Sequence, residues 1–217
     1  QTVASSVTIY RIAEDGLYLI KGGAFSENLF GTNANDKLVS GGGSDTIDGG
    51  AGTDWAVLQQ AYKTATVSTV GGVTTVRGPT DTETLIRIER ATFTDGVLAF
   101  DIGPSQNAGE AYRVYQAAFN RTPDTPGLGY WIRQLDAGAG EEFKATYGSP
   151  STVTDVAFIT LLYRNVLHRD PDAGGLAYWQ SQLSSGFERS RTLASFSESA
   201  ENQQNVIGLI KDGIFYT

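Results

Sequence analysis

The sequence predicts an α+β protein: an N-terminal parallel β-roll with an antiparallel β cap, followed by a C-terminal all-α domain of two helix-turn-helix repeats. Three observations lead there. Residues 22–57 fall into four consecutive nine-residue segments with glycine-rich starts. Residues 64–102 then change to short Val- and Thr-rich runs around glycine turn signals, the pattern of antiparallel strands. Residues 114–186 hold a gapless internal duplication at an offset of 48, with helical periodicity in both copies. Gly103-Pro104-Ser105 separates the two kinds of pattern, so the domains are 1–103 and 104–217.

The four nonapeptides are GGAFSENLF (22–30), GTNANDKLV (31–39), SGGGSDTID (40–48) and GGAGTDWAV (49–57). Their sixth positions read Glu27, Asp36, Asp45 and Asp54, and their eighth positions Leu29, Leu38, Ile47 and Ala56. Nine of the chain's 26 glycines lie between Gly22 and Gly52. The first six residues of each segment suit a tight turn, where glycine adopts conformations that side chains disfavour. The next three suit a short strand whose eighth residue points inward. Two segments make one coil, so turns two segments apart stack on the same edge. Stacked sixth-position carboxylates can then share one Ca2+, with backbone carbonyls completing the six to eight oxygens this ion takes. The pairing predicts a better site from Gly31, Asn33 and Asp36 with Gly50, Gly52 and Asp54, and a poorer one from Glu27 with Gly41, Gly43 and Asp45.

On these residues the stretch resembles the calcium-binding repeat of RTX proteins, G-G-x-G-x-D-x-U-x. The segments 40–48 and 49–57 match it well, although Ser40 replaces the first glycine and Ala56 is a weak inward residue. The segment 31–39 keeps Gly31, Asp36 and Leu38, whereas 22–30 has Glu27 for aspartate and Phe25 for the fourth glycine. The resemblance implies Ca2+ as the cofactor and a roll that folds where calcium is plentiful.

After the repeats, Thr64–Val70 and Val73–Val76 flank Gly71-Gly72 as a hairpin. Thr84–Phe93 and Val97–Ile102 flank the Asp95-Gly96 turn. The string TLIRIERATFTDGVLAFD (84–101) resembles the segment that follows RTX repeats in bacterial proteins and is expected to cover the open end of the roll. Arg87 and Arg90 read as solvated strand residues.

In the second half, Val114–Gly138 aligns on Leu162–Gly186 with eleven of 25 positions identical. The helix-turn-helix copies span 111–138 and 159–186. Ala111, Tyr115, Ala118 and Phe119 share one helix face, as do Ile159, Tyr163, Val166 and Leu167. The R-x-P-D stretch ends each first helix, because proline cannot continue it. Asp124 and Asp172, or the residue after each, cap the second helices. In the first copy, Leu128, Trp131, Ile132 and Leu135 then form one face and Gly138 the stop. Residues 188–200 and 202–210 continue as helix, and 211–217 form a tail. The Arg121/Asp124 and Arg169/Asp172 pairs read as turn braces, and His168, aligned with Asn120, as a turn or cap residue. Residues 106–205 resemble a bacterial family of unknown function that recurs beside RTX repeats. Its signature is L-Y-x-x-x-L-x-R-x-P-D-x-x-G-L-x-Y-W followed by S-x-E, here at Ser199 to Glu201. A looser likeness is to the helical linker domains of light-harvesting assemblies. Neither implies a catalytic residue.

Composition narrows the function. With no cysteine and one histidine, disulfide scaffolds, thiol nucleophiles and two-histidine metal sites are excluded. A net charge of −8 argues against a nucleic-acid partner. No apolar run approaches the ~20 residues that span a bilayer. The start at Gln1 suggests a processed or excised chain, and its first ten residues lack the pattern of a signal peptide. No nucleophile elbow, phosphate loop or H-E-x-x-H motif is present. The resemblance to RTX proteins implies type I export from a Gram-negative bacterium, and the final KDGIFYT loosely resembles such export signals.

The expected function is a non-catalytic secreted or cell-surface calcium-binding module, with a protein partner or a second copy engaged through the helical half. One alternative is the C-terminal secretion or targeting module of a larger secreted enzyme. Another is a module that binds a surface glycan through Tyr130-Trp131 and Tyr178-Trp179.

Overall fold

In the computed structural model, residues 8–11, 17–138 and 153–217 are described. The chain divides into two compact units: Gln1–Asp101 together with Lys211–Thr217, and Ile102–Ile210.

The first unit contains β1 (Thr8–Arg11), β2 (Tyr18–Lys21), β3 (Asn28–Phe30), β4 (Asp36–Val39), β5 (Thr46–Asp48), β6 (Trp55–Val57), β7 (Thr66–Val70), β8 (Val73–Arg77), β9 (Thr82–Ile86), β10 (Arg90–Phe93), β11 (Gly96–Ala99) and β12 (Ile214–Tyr216). One sheet has the order β1-β2-β4-β6-β10-β11-β12, the other β3-β5-β9-β8-β7. From β2 to β6 the chain alternates between the sheets, and within each sheet these strands run parallel. Each strand sends one apolar residue inward, as the two-residue strand period requires. Leu29, Ile47 and Leu85 stand in register in one sheet, and Ile20, Leu38, Ala56 and Ala91 in the other. All seven are buried and belong to one core cluster.

Three expectations are corrected. Thr84–Phe93 is not one strand. It ends in one sheet at Ile86, crosses at Arg87 to Glu89, and resumes as β10 beside β6 in the other sheet. Arg87 allows the crossing by adopting a left-handed φ of 49°. The chain thus resumes the roll for one more coil after the β7–β8 hairpin, which pairs Val70 with Val73 as expected. Second, the tail 211–217 does not belong with the helices. β12 pairs antiparallel with β11, burying Ile214 and Tyr216. Phe215 stacks on Tyr62 with centroids 4.2 Å apart. β12 covers the strand edge that β11 would otherwise expose. Third, Arg90 is buried, 1% exposed, and pairs with Asp101. A guanidinium this deep requires a carboxylate, and Asp101 supplies it just beyond β11. Arg87, by contrast, is exposed and pairs with Asp48 at 2.7 Å.

The second unit contains α1 (Asn107–Phe119), α2 (Thr125–Asp136), α3 (Asp155–Leu167), α4 (Ala173–Ser184), α5 (Arg189–Ser197) and α6 (Ala200–Ile210). The two copies superpose in chemistry as well as sequence. Asp124 accepts from Gly127 N–H at 2.9 Å and Asp172 from Gly175 N–H at 2.8 Å, so both are N-caps. Asn120 and His168 end α1 and α3 with φ of 50° and 54°. That left-handed turn assigns His168 to capping. Val114, Ile132, Ile159, Leu193 and Val206 lie in the interior. Arg113 is clamped there by Glu198 (2.8 and 2.7 Å) and by the carbonyls of Ile102 and Gly103 (2.9 and 3.1 Å). No sequence pattern marked Arg113, because nothing local distinguishes a buried arginine from a solvated one. Among the described residues no helix is long and apolar enough to cross a membrane.

Candidate metal centre

The turns between strands stack along two edges of the roll. On one edge lie residues 22–27, 40–45 and 78–83; on the other lie 31–36, 49–54 and 87–89. Strand register brings the sixth-position acids into two columns. Each backbone N–H in a column donates to the next carboxylate. Glu27 N–H donates to Asp45 Oδ1 at 2.7 Å, and Asp45 N–H to Glu83 Oε2 at 2.9 Å. On the other edge Asp36 N–H donates to Asp54 Oδ1 at 2.8 Å, and Asp54 N–H to Glu89 Oε2 at 2.8 Å. A second ladder runs one residue earlier. Ser44 N–H donates to Ser26 Oγ and Thr82 N–H to Ser44 Oγ, both at 2.9 Å, while Thr53 N–H donates to Asn35 Oδ1 at 2.8 Å.

Glu83 and Glu89 were absent from the sequence-based site. A signal for Glu83 exists: Gly78, Glu83 and Leu85 keep the first, sixth and eighth positions of the nonapeptide. The β7–β8 hairpin interrupts the period before them, and the turn leading to Glu89 is three residues shorter. The four original turns also differ from one another. Gly41, Gly43, Gly50 and Gly52 have φ of 85°, 92°, 95° and 130°. No residue of 22–36 lies in the left-handed region. Phe25, Thr32 and Ala34 replace the glycines that such turns need. Asn33 stands exposed in its turn.

Glu27, Asp36, Asp45, Asp54 and Glu83 are buried, and Glu89 is half-buried. None of the six has an ion-pair partner among the described residues. Burial pushes the Asp54 carboxyl up from 3.8 to about 7; the Asp36 N–H works against this, and the charges of Glu89, Asp36 and Asp48 add to it. Burial likewise raises Glu83 from 4.5 to about 7, with Asp45 and Asp81 adding their repulsion. Asp45 is raised by burial and by the charges of Glu27 and Asp81. A divalent cation is the natural remedy for buried negative columns that lack a countercharge.

The donor set fits calcium on a specific observation. Glu27 Oε1, Asp45 Oδ2 and Asp54 Oδ2 are buried oxygens with no hydrogen-bond partner. Asp36 differs, because Thr32 N–H and Oγ1 both donate to it. Main-chain carbonyls also lie close to the carboxylates: a side chain on Gly31 would collide with Gly49 O and lie 2.8 Å from Asp36 Oδ2. One on Gly22 would collide with Ser40 O and lie 3.0 Å from Glu27 Oε2. No three Asp, Glu, His or Cys side chains converge as a metal cluster among the described residues. A cation on these edges therefore draws much of its shell from carbonyls, which suits a hard ion with oxygen ligands.

Among its described residues the helical unit offers no comparable centre. Tyr115 Oη donates to Asp124 at 2.6 Å, and Arg121 donates to Tyr115 Oη at 2.6 Å. In the second copy Arg169 stacks over Tyr163 and binds Glu201 at 2.9 and 3.1 Å. Gly175 is required because a Cβ there would collide with Tyr163 Oη. The shared Tyr, Arg, Asp and Gly positions thus brace the first turn internally, while in the second copy Arg169 also ties its turn to Glu201 of α6.

Two family models match parts of the chain. Residues 21–56 match the family model of the RTX calcium-binding nonapeptide repeat (4 copies). Residues 139–206 match a domain of unknown function, DUF4214; of these, 139–152 lie outside the described residues. No curated protein matches the chain. A solved structure similar to part of it is the crystal structure of the extracellular lipase LipA from Serratia marcescens. The match has 24% identity and a TM-score of 0.35, and covers 38% of this chain and 15% of that one.

Proposed function

We propose that this chain is a non-catalytic, calcium-stapled module of an exported protein. Calcium completes the roll along its two edges, and the helical unit engages a protein partner or a second copy. The observation that carries the proposal is the pair of acid columns with buried, partnerless oxygens at Glu27, Asp45 and Asp54. One site draws on the turns Gly31–Asp36 and Gly49–Asp54, with Asp36 and Asp54. The other draws on the turns Gly22–Glu27 and Ser40–Asp45, with Glu27 and Asp45. In the low-calcium cytosol the columns repel, and outside the cell millimolar calcium neutralises them. That difference supports export before folding and an extracellular or cell-surface location. The family matches hold a repeat and a domain of unknown function, with no catalytic family among them.

A second reading concerns the helical unit. Tyr130 and Tyr178 are half-exposed beside Trp131 and Trp179, in near-identical edge-on geometry at 5.0 and 5.1 Å. Two equivalent exposed tyrosines, each beside a half-buried tryptophan, favour stacking on sugar rings. Glycan-array binding lost in Tyr130→Ala and Tyr178→Ala, with melting unchanged, supports it. The main proposal is tested by calcium titration and by hydrogen exchange in EGTA. Expected are binding in the titration and loss of protection over residues 18–99. If the wild-type chain binds no calcium and EGTA leaves protection unchanged, the module is not calcium-stapled.

A further inference from the structure

We infer that the roll holds a further calcium site beyond its nonapeptides, between the turn Gly49–Asp54 and the short turn Arg87–Glu89, with Asp54 Oδ2, the Arg87 carbonyl and the Glu89 carboxylate as ligands. The inference rests on the calcium reading above and deepens it.

The partnerless atom points there. Asp54 Oδ1 is taken by Asp36 N–H, on the side of the turn that faces the predicted site. Its other oxygen, Oδ2, is buried and bonded to nothing. A Cβ built on Gly49 would lie 2.5 Å from this oxygen and would collide with the Arg87 carbonyl. Both oxygens therefore face the same side of Gly49, on the side of the turn toward Arg87. This arrangement repeats the one in which Gly31 is flanked by the Gly49 carbonyl and Asp36. The two spaces differ in one respect. Asp36 is already satisfied by Thr32, whereas Asp54 Oδ2 keeps its lone pairs.

Arg87 presents its carbonyl without bringing its charge. Its guanidinium is exposed and held by Asp48, with Nε at 2.9 Å and Nη2 at 2.7 Å. Its left-handed φ of 49° does at this turn what glycine does in the nonapeptides. Glu89 closes the column: one of its oxygens accepts from Asp54 N–H, and among the described residues no cation pairs with it. Asp54 Oδ2 and the Arg87 carbonyl meet at this turn, next in the column to the Glu89 carboxylate, and carboxylate and carbonyl oxygens are the donors that calcium prefers.

The test is calcium titration by calorimetry of the full chain, wild type against Glu89→Gln, with thermal melting in EGTA alongside. Glutamine keeps an acceptor for Asp54 N–H, so the EGTA melting temperature stays at or above that of the wild type. Expected is a stoichiometry lower by one, or one site weakened roughly tenfold or more. Wild-type stoichiometry and affinity in Glu89→Gln overturn the site and leave the other two standing. A wild-type chain that titrates no calcium removes the calcium reading as a whole. Should Glu89→Gln melt early in EGTA, a wild-type crystal grown in calcium decides instead. An ion bonded to Arg87 O and Asp54 Oδ2 confirms the site, and density without one there rejects it.

Discussion

Replacing Asp54 by asparagine changes the sign of its effect on stability with calcium. In EGTA at pH 7.5 the wild-type carboxyl is ionised in a place that lifts its pKa from 3.8 to about 7, chiefly by burial. At 1.36 kcal/mol per unit that displacement corresponds to about 4 kcal/mol against the folded state. Screening at the rim of the turn reduces it to about 2 kcal/mol. Asparagine has no charge to bury, and its Oδ1 still accepts from Asp36 N–H. At roughly 2–4 °C per kcal/mol, the variant melts about 4–8 °C above the wild type in EGTA. In millimolar calcium the order reverses, because the variant has lost a ligand and the wild type gains RT ln(1 + [Ca2+]/Kd).

The pH dependence follows from the same group. Between about pH 4 and 7 the folded, calcium-free chain keeps a proton on Asp54 that the unfolded chain has released. The folded state binds more protons in that window, so stability falls as pH rises through it. Glu83, also raised to about 7, adds to the slope. Circular dichroism melts at pH 4.5, 6.0 and 7.5 in EGTA read this directly, and Asp54→Asn flattens the curve. A variant that melts lower than the wild type by the same amount in EGTA and in calcium refutes the reasoning. Asp54 would then be only a hydrogen-bond acceptor.

Three further outcomes are expected. Asp36→Ala and Asp54→Ala weaken calcium binding in calorimetry more than Glu27→Ala, and equal losses undo the proposed pairing of turns. Arg113→Ala leaves Glu198 and two carbonyls without their donor. It costs about 3–5 kcal/mol, read as lost hydrogen-exchange protection across residues 107–136 and 189–210; unchanged protection there removes the clamp. Phe215→Ala removes the stack on Tyr62 and costs about 3 kcal/mol in denaturant unfolding, and a loss under 0.5 kcal/mol shows that β12 is dispensable.

The nonapeptide stretch was legible because its rule is local. An acid at position six and an apolar residue at position eight place the turn, the inward side chain and the stacking partner. The helical copies were legible for a similar reason, since Asp124, Asp172, Asn120 and His168 act within one turn of their own helices. What escaped depends on separation in sequence. Glu83 and Glu89 meet Asp45 and Asp54 across 38 and 35 residues, with a hairpin between. Arg90 looked solvated because its partner Asp101 lies beyond another strand. Ile214–Tyr216 is too short to declare itself, and its partner β11 lies more than a hundred residues earlier.

These differences bear on why a metal, and not a larger core, completes the roll. Each three-residue strand of the nonapeptides contributes a single fully buried side chain, and at position 56 that side chain is only a methyl group. Nine residues must be ordered for each such contribution, so apolar burial alone is a weak return on conformational entropy. Hydrogen bonds between turns hold the edges in register, but they do so by bringing carboxylates onto one another. The same stacking that forms the roll therefore concentrates charge along its edges. In the Arg113 clamp the protein meets a buried charge with an opposite one from its own chain. In the acid columns it does not, and Glu27, Asp45 and Asp54 each keep an oxygen that no donor reaches. A roll whose charge is balanced from outside folds when the ion is present, which makes calcium concentration the variable that decides where the module assembles.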